Sequence, residues 1–504
     1  MTVQSSPPGS HILSNTRTNG KSAHSLLPVG DTGRLVVVSN RVADLSSSTQ
    51  TGGLAVGLAD AINEQGGLWF GWDGSREGKT GGPLKISQHG AVTSVGVPIS
   101  PDDFTDYYLG FSNSVLWPLF HYRLDLVHIT AKAFDGYMRV NEVFARQLMP
   151  LLRPDDQIWI HDYHLIPLAS MLRKLGCTQK IGHFLHIPFP APELLAATPH
   201  HRELVDALLD YDLLGFQTHT DAGNLKSYLT SQRPDVNVKK DHVLTADNTV
   251  RLGRFPIGID VAEFGALARK PDVGSARLRN APSPNRRKRI IGVDRLDYSK
   301  GLPERFRAFD EFLQRYPQFT KQVGFVQVAP PSRGEVDAYA DIRNELEQLA
   351  GSINGRFGEL DWTPVQYICR ALPRDTLAPL MRQSEVGFVT PLRDGMNLVA
   401  KEYVAAQDPE DPGVLILSQF AGAAEEMRQA LIVNPYDPED MAQQLHRALS
   451  MPLQERRARH AALLSHIKEY DAKSWAAAFL SALKGPSSHE ACLPVESLAP
   501  AEAS

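Results

Sequence analysis

The chain has 504 residues, with 52 Lys+Arg against 57 Asp+Glu and a formal net charge of -5. At roughly 100–200 residues per domain, this length supports two substantial domains. A 42% hydrophobic and 22% charged composition excludes disorder as the dominant state, the mild acidity argues against a nucleic-acid binder, and no run of about 18 apolar residues offers a membrane span.

Residues 1–33 carry Ser, Thr, Gly, Pro and Asn without the apolar core of a secretory signal, so a disordered tail is expected there. From Arg34 the chain changes character. Leu35–Ser39 is a β-branched run, typical of a strand covered on both faces of a parallel sheet. Similar runs follow at Gln157–His161, Ile181–His186, Leu213–Gln217, Arg289–Val293, Val323–Ala329, Val386–Thr390, Val414–Ser418 and Leu431–Val433. Amphipathic stretches between them, such as Pro303–Tyr316, Gly334–Leu349 and Asn397–Ala406, predict helices, and Pro452–Leu483 also reads as helical. Strands alternating with helices imply right-handed βαβ units and doubly wound sheets.

Phe255–Asp260, followed by a polar, Pro-rich stretch to Arg287, marks a boundary. The expected division is an N-terminal Rossmann-like domain (34–258), a C-terminal one (259–466), a helix packing back on the first domain (467–484) and a disordered tail (485–504). Cys177, Cys369 and Cys492 share no metal-ligand spacing and make no disulfide framework, which fits a reducing cytosol.

Ligands on doubly wound sheets collect beyond the carboxyl ends of the strands, so strand-end residues are the candidates for chemistry. Asp294–Leu302 links a buried strand to a helix, and Arg295 and Lys300 there suit a pyrophosphate. The alternative is a surface ion pair with Asp294 or Asp297. Thr390–Glu402 again runs from strand through a glycine-containing loop into a helix, whose N-terminus favours anions. Glu402, about one turn in, suits the two hydroxyls of a ribose or simply faces solvent; Asp394 reads as a site carboxylate or a helix cap. The first strand ends Ser39-Asn40-Arg41 and leads to Gly52-Gly53, which lets a backbone approach a phosphate or makes an ordinary turn.

His161, Asp162, His164, His183 and His186 cluster at two strand ends, without metal-ligand spacing. Asp210-Tyr211-Asp212 matches a D-x-D pattern but precedes its strand, at the end away from a cleft, and reads as structural. Tyr107, Tyr108, Phe111, Trp117, Trp69 and Trp72 suit either sugar stacking or core packing. The basic run Arg286–Arg289 reads as a solvated start to a strand rather than a nucleic-acid patch.

Nine segments together carry a resemblance: VVVSNR, GGLAVGL, GGLWFGW, LWPLFHYR, WIHDYHL, FLHIPFP, DYDLLGFQT, RLDYSKGLPER and TPLRDGMNLVAKEYVAAQ. They resemble the trehalose-6-phosphate synthases, retaining glucosyltransferases of GT-B architecture, in which two Rossmann-like domains face across a deep cleft. The resemblance runs from about Arg34 to Leu483, and no motif departs from the pattern. It implies transfer of glucose from UDP-glucose to glucose 6-phosphate with retention, giving α,α-trehalose 6-phosphate and UDP, in trehalose biosynthesis and osmoprotection.

By the same resemblance, Arg295 and Lys300 hold the donor diphosphate, Glu402 the ribose, Asn397 and Leu398 the phosphates through backbone amides, and Gly53 closes over the donor. His186 and Asp394 meet the transferred glucose. Arg41, Tyr108, Trp117 and Arg333 contact the acceptor, Asp162 orients it, and Trp72 matches the aromatic of GGLWFGW. A double displacement needs a carboxylate nucleophile, and position alone leaves Asp394 open for it. The resemblance implies instead a same-face mechanism assisted by the leaving phosphate, with the cations standing where other transferases use a divalent metal. No metal or other cofactor, nucleic acid or membrane is expected; a cytoplasmic homodimer or homotetramer is.

Overall fold

The computed structural model describes residues 33–42, 62, 66–270, 287–332 and 337–485. Gly53 and Arg333 lie outside the described residues, as do nearly all of both expected tails.

The β-branched runs become strands of two sheets. The first is built from β1 (Leu35–Arg41), β2 (Gly67–Trp72), β3 (Lys85–His89), β4 (Val92–Val97), β5 (Gln157–His161), β6 (Lys180–Phe184), β7 (Leu213–Phe216), β8 (Asn237–Val238), β9 (His242–Leu244) and β10 (Thr249–Arg254). Its order is β3-β4-β2-β1-β5-β6-β7-β10-β9-β8, parallel except at β3, β8 and β9. The second contains β11 (Lys288–Val293), β12 (Val323–Val328), β13 (Val365–Ile368), β14 (Val386–Val389), β15 (Val414–Ser418) and β16 (Leu431–Val433). Its order, β13-β12-β11-β14-β15-β16, is parallel throughout and is the doubly wound pattern. Strand order reverses between β1 and β5 in one sheet and between β11 and β14 in the other. Those two switch points are where such folds bind ligands.

Seven helices matter for the site: α1 (Ala131–Leu148), α2 (His219–Gln232), α3 (Leu302–Arg315), α4 (Asp337–Phe357), α5 (Leu398–Ala406), α6 (Leu453–Glu469) and α7 (Ala472–Lys484). The stretch Pro452–Leu483, expected to be helical, forms two helices that part at Tyr470–Asp471, where the Asp471 side chain caps α7 by accepting from Ser474 N at 2.8 Å. The helix expected over Gly334–Leu349 continues to Phe357. Strands β2, β3, β4, β8, β9, β10 and β13 escape the sequence reading; β3 is almost wholly exposed, β2 is aromatic and interrupted by glycine, and β4 sets Thr93, Ser94 and Gly96 between its valines.

α7 lies on the first sheet. Phe479 stacks on Trp159 at 4.8 Å, and a Cβ at Gly182 or Gly215 would come within 2.8 Å of its ring, so both glycines make room for it. The chain therefore passes between the sheets twice, near Gly258 and near Asp471, and the two passages touch. A Cβ on Gly258 would sit 2.3 Å from Tyr470 O. Buried charges join the lobes beside this crossing. Lys401 Nζ donates to Ile257 O (2.8 Å) and Glu426 Oε2 (2.9 Å), and Arg254 Nη2 donates to Glu426 Oε1 (3.0 Å).

Candidate active site

The carboxyl end of β11 delivers Asp294, Arg295, Asp297 and Lys300 in a single loop. What shapes that loop is Arg305, the fully buried arginine of α3. Its Nη1 donates to Asp294 Oδ2 (2.8 Å) and Gln327 Oε1 (2.9 Å), Nε to Thr390 Oγ1 (3.1 Å) and Nη2 to Lys300 O (3.3 Å). The guanidinium fork thus ties the ends of β11, β12 and β14 to the backbone of Lys300. Gly292 is required beneath it, since a Cβ there would meet Gln327 Oε1 at 2.3 Å. Asp297 caps the following turn through Ser299 N at 2.9 Å and accepts from Tyr339 OH at 3.2 Å. Asp294 and Asp297 are thus engaged by Arg305, Ser299 and Tyr339, not left as simple surface partners for Arg295 and Lys300.

Lys300 Nζ instead meets Asp394 Oδ2 at 2.5 Å, across the β11–β14 switch point. Asn397 Nδ2 donates to the same oxygen at 3.0 Å, while its Oδ1 caps α5 through Ala400 N at 3.3 Å. Asn397 does this with φ at +77°, in the left-handed region that asparagine tolerates. The loop's backbone is pinned by Asp394 N to Phe420 O (3.1 Å) and Gly422 N to Asp394 O (3.1 Å). Leu398 opens α5, where the first N–H groups of a helix lack intrahelical acceptors and face an anion site. Glu402 sits half-buried one turn in. Burial pushes its carboxyl up to about 7, with Arg374 pulling down and Glu263 adding to the rise.

The first sheet faces this loop directly. A Cβ on Gly395 would fall 2.0 Å from His186 O, so only glycine lets the two lobes touch at that point. His186 follows β6; its Nε2 lies 3.1 Å from His161 Nδ1, and its backbone N donates to Asp162 Oδ1 at 3.3 Å. Burial, aided by His183, lowers His186 to about 3, so the ring is neutral at physiological pH. Asp162 follows β5 with φ at +73°. His183 is a core histidine, contacting Asp162 O through Nε2 at 3.2 Å.

The aromatic candidates divide. Tyr107, Phe111 and Trp69 belong to the core; Tyr107 OH donates to Asn40 Oδ1 (2.7 Å) and Trp69 Nε1 to Ser39 Oγ (2.8 Å). Tyr108, half-buried, lies on Phe104 (5.2 Å) and His164 (5.9 Å) and beside Trp72 (5.9 Å), whose ring carries Arg41 at 5.6 Å. This group rides on a π-helical segment, Phe104–Leu116, in which Asn113 and Ser114 side chains bond the carbonyls of Tyr108 and Leu109, five residues back. Trp117 carries Arg295 of the other lobe over its ring at 5.6 Å and packs on His121 at 4.1 Å.

Arg41, Trp72, Tyr108, Trp117, Asp162 and His186 therefore come from the first lobe, and Arg295, Lys300, Asp394, Asn397, Leu398 and Glu402 from the second. The D-x-D match is at the opposite edge, Asp212 pairing with Arg173 (2.8 Å) and Lys180 (2.9 Å). Of the basic run, Arg287 pairs with Asp361 at 2.9 Å. Among the described residues, no group of three or more His, Cys, Asp or Glu is arranged to hold a metal, and no helix is long and apolar enough to cross a membrane. Arg305 is the residue that sequence reasoning missed. Its signal was present, an arginine in the first turns of a helix with an apolar face, ten residues after Arg295.

Residues 32–485 match the model of glycosyltransferase family 20. The trehalose-6-phosphate synthase of Enterobacter sp. (strain 638) is 52% identical over 460 residues, covering 90% of this chain and 95% of that protein. A trehalose-6-phosphate structure from E. coli bound with UDP-2-fluoro glucose superposes with a TM-score of 0.86 at 49% identity, covering 90% of this chain and 100% of the other. The UDP-forming α,α-trehalose-phosphate synthase from Burkholderia xenovorans in complex with glucose-6-phosphate gives a TM-score of 0.84 at 49% identity, with coverage of 90% and 100%.

Proposed function

The chain belongs to glycosyltransferase family 20, and on that premise we propose that its cleft transfers glucose from UDP-glucose to glucose 6-phosphate with retention, releasing UDP and α,α-trehalose 6-phosphate. The observation that carries this reading is the meeting of Lys300, Asp394 and Asn397 on one oxygen, opposite His186. It supplies a cation for a departing diphosphate and polar groups for a hexose within a single crevice.

In the mechanism that this arrangement supports, Arg295 and Lys300 stabilise the negative charge that grows on the β-phosphate as the glycosidic bond breaks. Because their loop is already held by Arg305, little reorganisation accompanies the step. Glu402, when ionised, accepts from the ribose hydroxyls, and the α5 N-terminus at Leu398 faces the phosphates. Neutral His186 and Asp394 hold the glucose. The acceptor hydroxyl attacks from the face on which the diphosphate leaves, and the departing phosphate oxygen takes its proton. Arg41, Tyr108, Trp117 and Asp162 orient the acceptor, with Trp72 behind Arg41; Arg333 and Gly53 complete the acceptor and donor sites by motif. Contact between the lobes excludes water and limits donor hydrolysis.

We place the division between domains at 258/259, with 467–484 returning to the first, and the enzyme in the cytoplasm as a homodimer or homotetramer. The test of function is a donor-by-acceptor matrix with purified protein. UDP release from UDP-glucose that depends on glucose 6-phosphate is the expected result; release independent of acceptor, or preference for glycerol 3-phosphate, overturns the reading.

A further inference from the structure

Non-glycine residues with positive φ are few among the described residues: Tyr122, Asp162, Lys321 and Asn397. Such strain persists where the surroundings over-determine it, and it concentrates at functional sites. Asp162 and Asn397 already belong to the cleft. Tyr122, at φ +64°, is the one whose place there the reaction does not explain.

Its surroundings give it a role. The Tyr122 hydroxyl is fixed by its own lobe, accepting from Ala191 N at 3.0 Å, with Asn224 Nδ2 at 3.5 Å. From the opposite lobe, the guanidinium of Arg393 lies 3.6 Å above the Tyr122 ring centroid. Arg393 Nε is buried and has no hydrogen-bond acceptor among the described residues, so the ring is what this cation rests on. Arg393 immediately precedes Asp394, and its backbone N donates to Ser299 O at 3.3 Å, next to Lys300. Two weaker contacts flank it: Arg295 over Trp117 at 5.6 Å, and Arg123 over Tyr298 at 5.3 Å. The segment from Trp117 to Arg123 thus faces both donor loops through arginine–aromatic contacts. Each sets the cation within about 6 Å of the ring centroid, where the ring quadrupole attracts it, and the Arg393–Tyr122 contact is the shortest of the three.

We propose that Tyr122 and Arg393 form a positioning pair that registers the Asp394 loop against the acceptor lobe, so that the sugar held by one lobe lies in line with the hydroxyl presented by the other. The proposal rests on the glucosyl-transfer reading. Neither side chain is assigned contact with substrate; the pair acts through Asp394 and through Trp117.

The experiment compares Tyr122→Leu and Arg393→Met with the conservative Tyr122→Phe and Arg393→Lys in the full chain. The readouts are melting temperature, UDP affinity by calorimetry, and steady-state transfer from UDP-glucose to glucose 6-phosphate. Misplacement by about 1 Å costs up to about 100-fold, so Tyr122→Leu and Arg393→Met should each lower kcat by about 10- to 100-fold. UDP affinity should hold within about threefold, because Arg295, Lys300 and Glu402 are untouched. Tyr122→Phe keeps the ring and should retain most of the turnover. The double variant should be no slower than the worse single one, since both substitutions remove one contact. Wild-type kcat in Tyr122→Leu, additive losses in the double variant, or losses that track melting temperature alone would overturn the proposal. If the unmodified enzyme shows no acceptor-dependent UDP release, it is the glucosyl-transfer reading that has failed instead.

Discussion

Replacing Arg305 by methionine separates the two things this residue does. The substitution leaves the Asp294 carboxylate, whose side chain is 2% exposed, without its cation. Stranding one member of a buried ion pair costs about 3–5 kcal/mol, and at about 2–4 °C per kcal/mol for a domain of this size the melting temperature should fall by about 6–20 °C. Burial already works to raise the Asp294 pKa against the pull of Arg305. Without that pull Asp294 takes up a proton more readily, so the deficit should shrink as the pH is lowered. Adding Asp294→Leu removes the stranded charge, and exchange of a buried pair for apolar groups is often nearly neutral. Gln327 Oε1, left without its donor, should retain about 1–3 kcal/mol of the loss. The expected order of stability is therefore wild type, double variant, single variant. Turnover should not follow that order. Both variants lose the tether to the Lys300 carbonyl, and both should be about 10- to 100-fold slower in a coupled UDP-release assay. A double variant as fast as wild type would refute the claim that Arg305 sets the position of the Lys300 loop.

Lys300→Met should lower kcat by about 100- to 1,000-fold, as for loss of a group that stabilises developing charge; the melting temperature should also fall, but less than in Arg305→Met, because the Asp394 carboxylate is 14% exposed and keeps Asn397 as a donor, and near-normal transfer would remove Lys300 from the mechanism. Arg295→Ala should slow turnover alike, and because Arg295 is exposed its fold should be unaffected. Glu402, raised to about 7, is half-ionised near that value and increasingly ionised above it, so donor affinity should strengthen as the pH rises from 6 to 8. Glu402→Gln should bind donor more weakly and lack that dependence; a wild-type profile flat through neutrality would contradict the assignment. Chelator treatment should leave turnover intact, because fixed cations carry the charge stabilisation; loss of activity restored by magnesium would overturn that part of the mechanism.

Several parallel strands were legible because strands covered on both faces are continuously apolar: Gln157–His161, Val414–Ser418 and Leu431–Val433 begin and end where the residue pattern places them, whereas β2, β4, β10 and β13, also in parallel pairings, mix glycine or polar residues into the run and were not read. β3 was not, since an exposed edge strand carries no apolar requirement. At the site, the residue types at Arg295, Lys300 and Asp394 were readable, but their pairing was not. Which carboxylate Lys300 meets depends on Arg305 and Tyr339 having taken Asp294 and Asp297, a competition settled by side chains distant in sequence. The broken helix at Asp471 had a readable cap, Asp-x-x-Ser, concealed by apolar sequence on both sides.

The contact between Gly258 and Tyr470–Asp471 bears on how the enzyme opens. Had the two connecting passages been set well apart, the line between them would have fixed one axis, as the pins of a gate do. Meeting at one place, and braced beside it by Lys401, Glu426 and Arg254, they set a single point of pivot between the halves. Bulk added at Gly258 would press on Tyr470 and Asp471 and, through Ile257, on Lys401 of α5, the neighbour of Glu402, so it should alter the mouth and the donor site together.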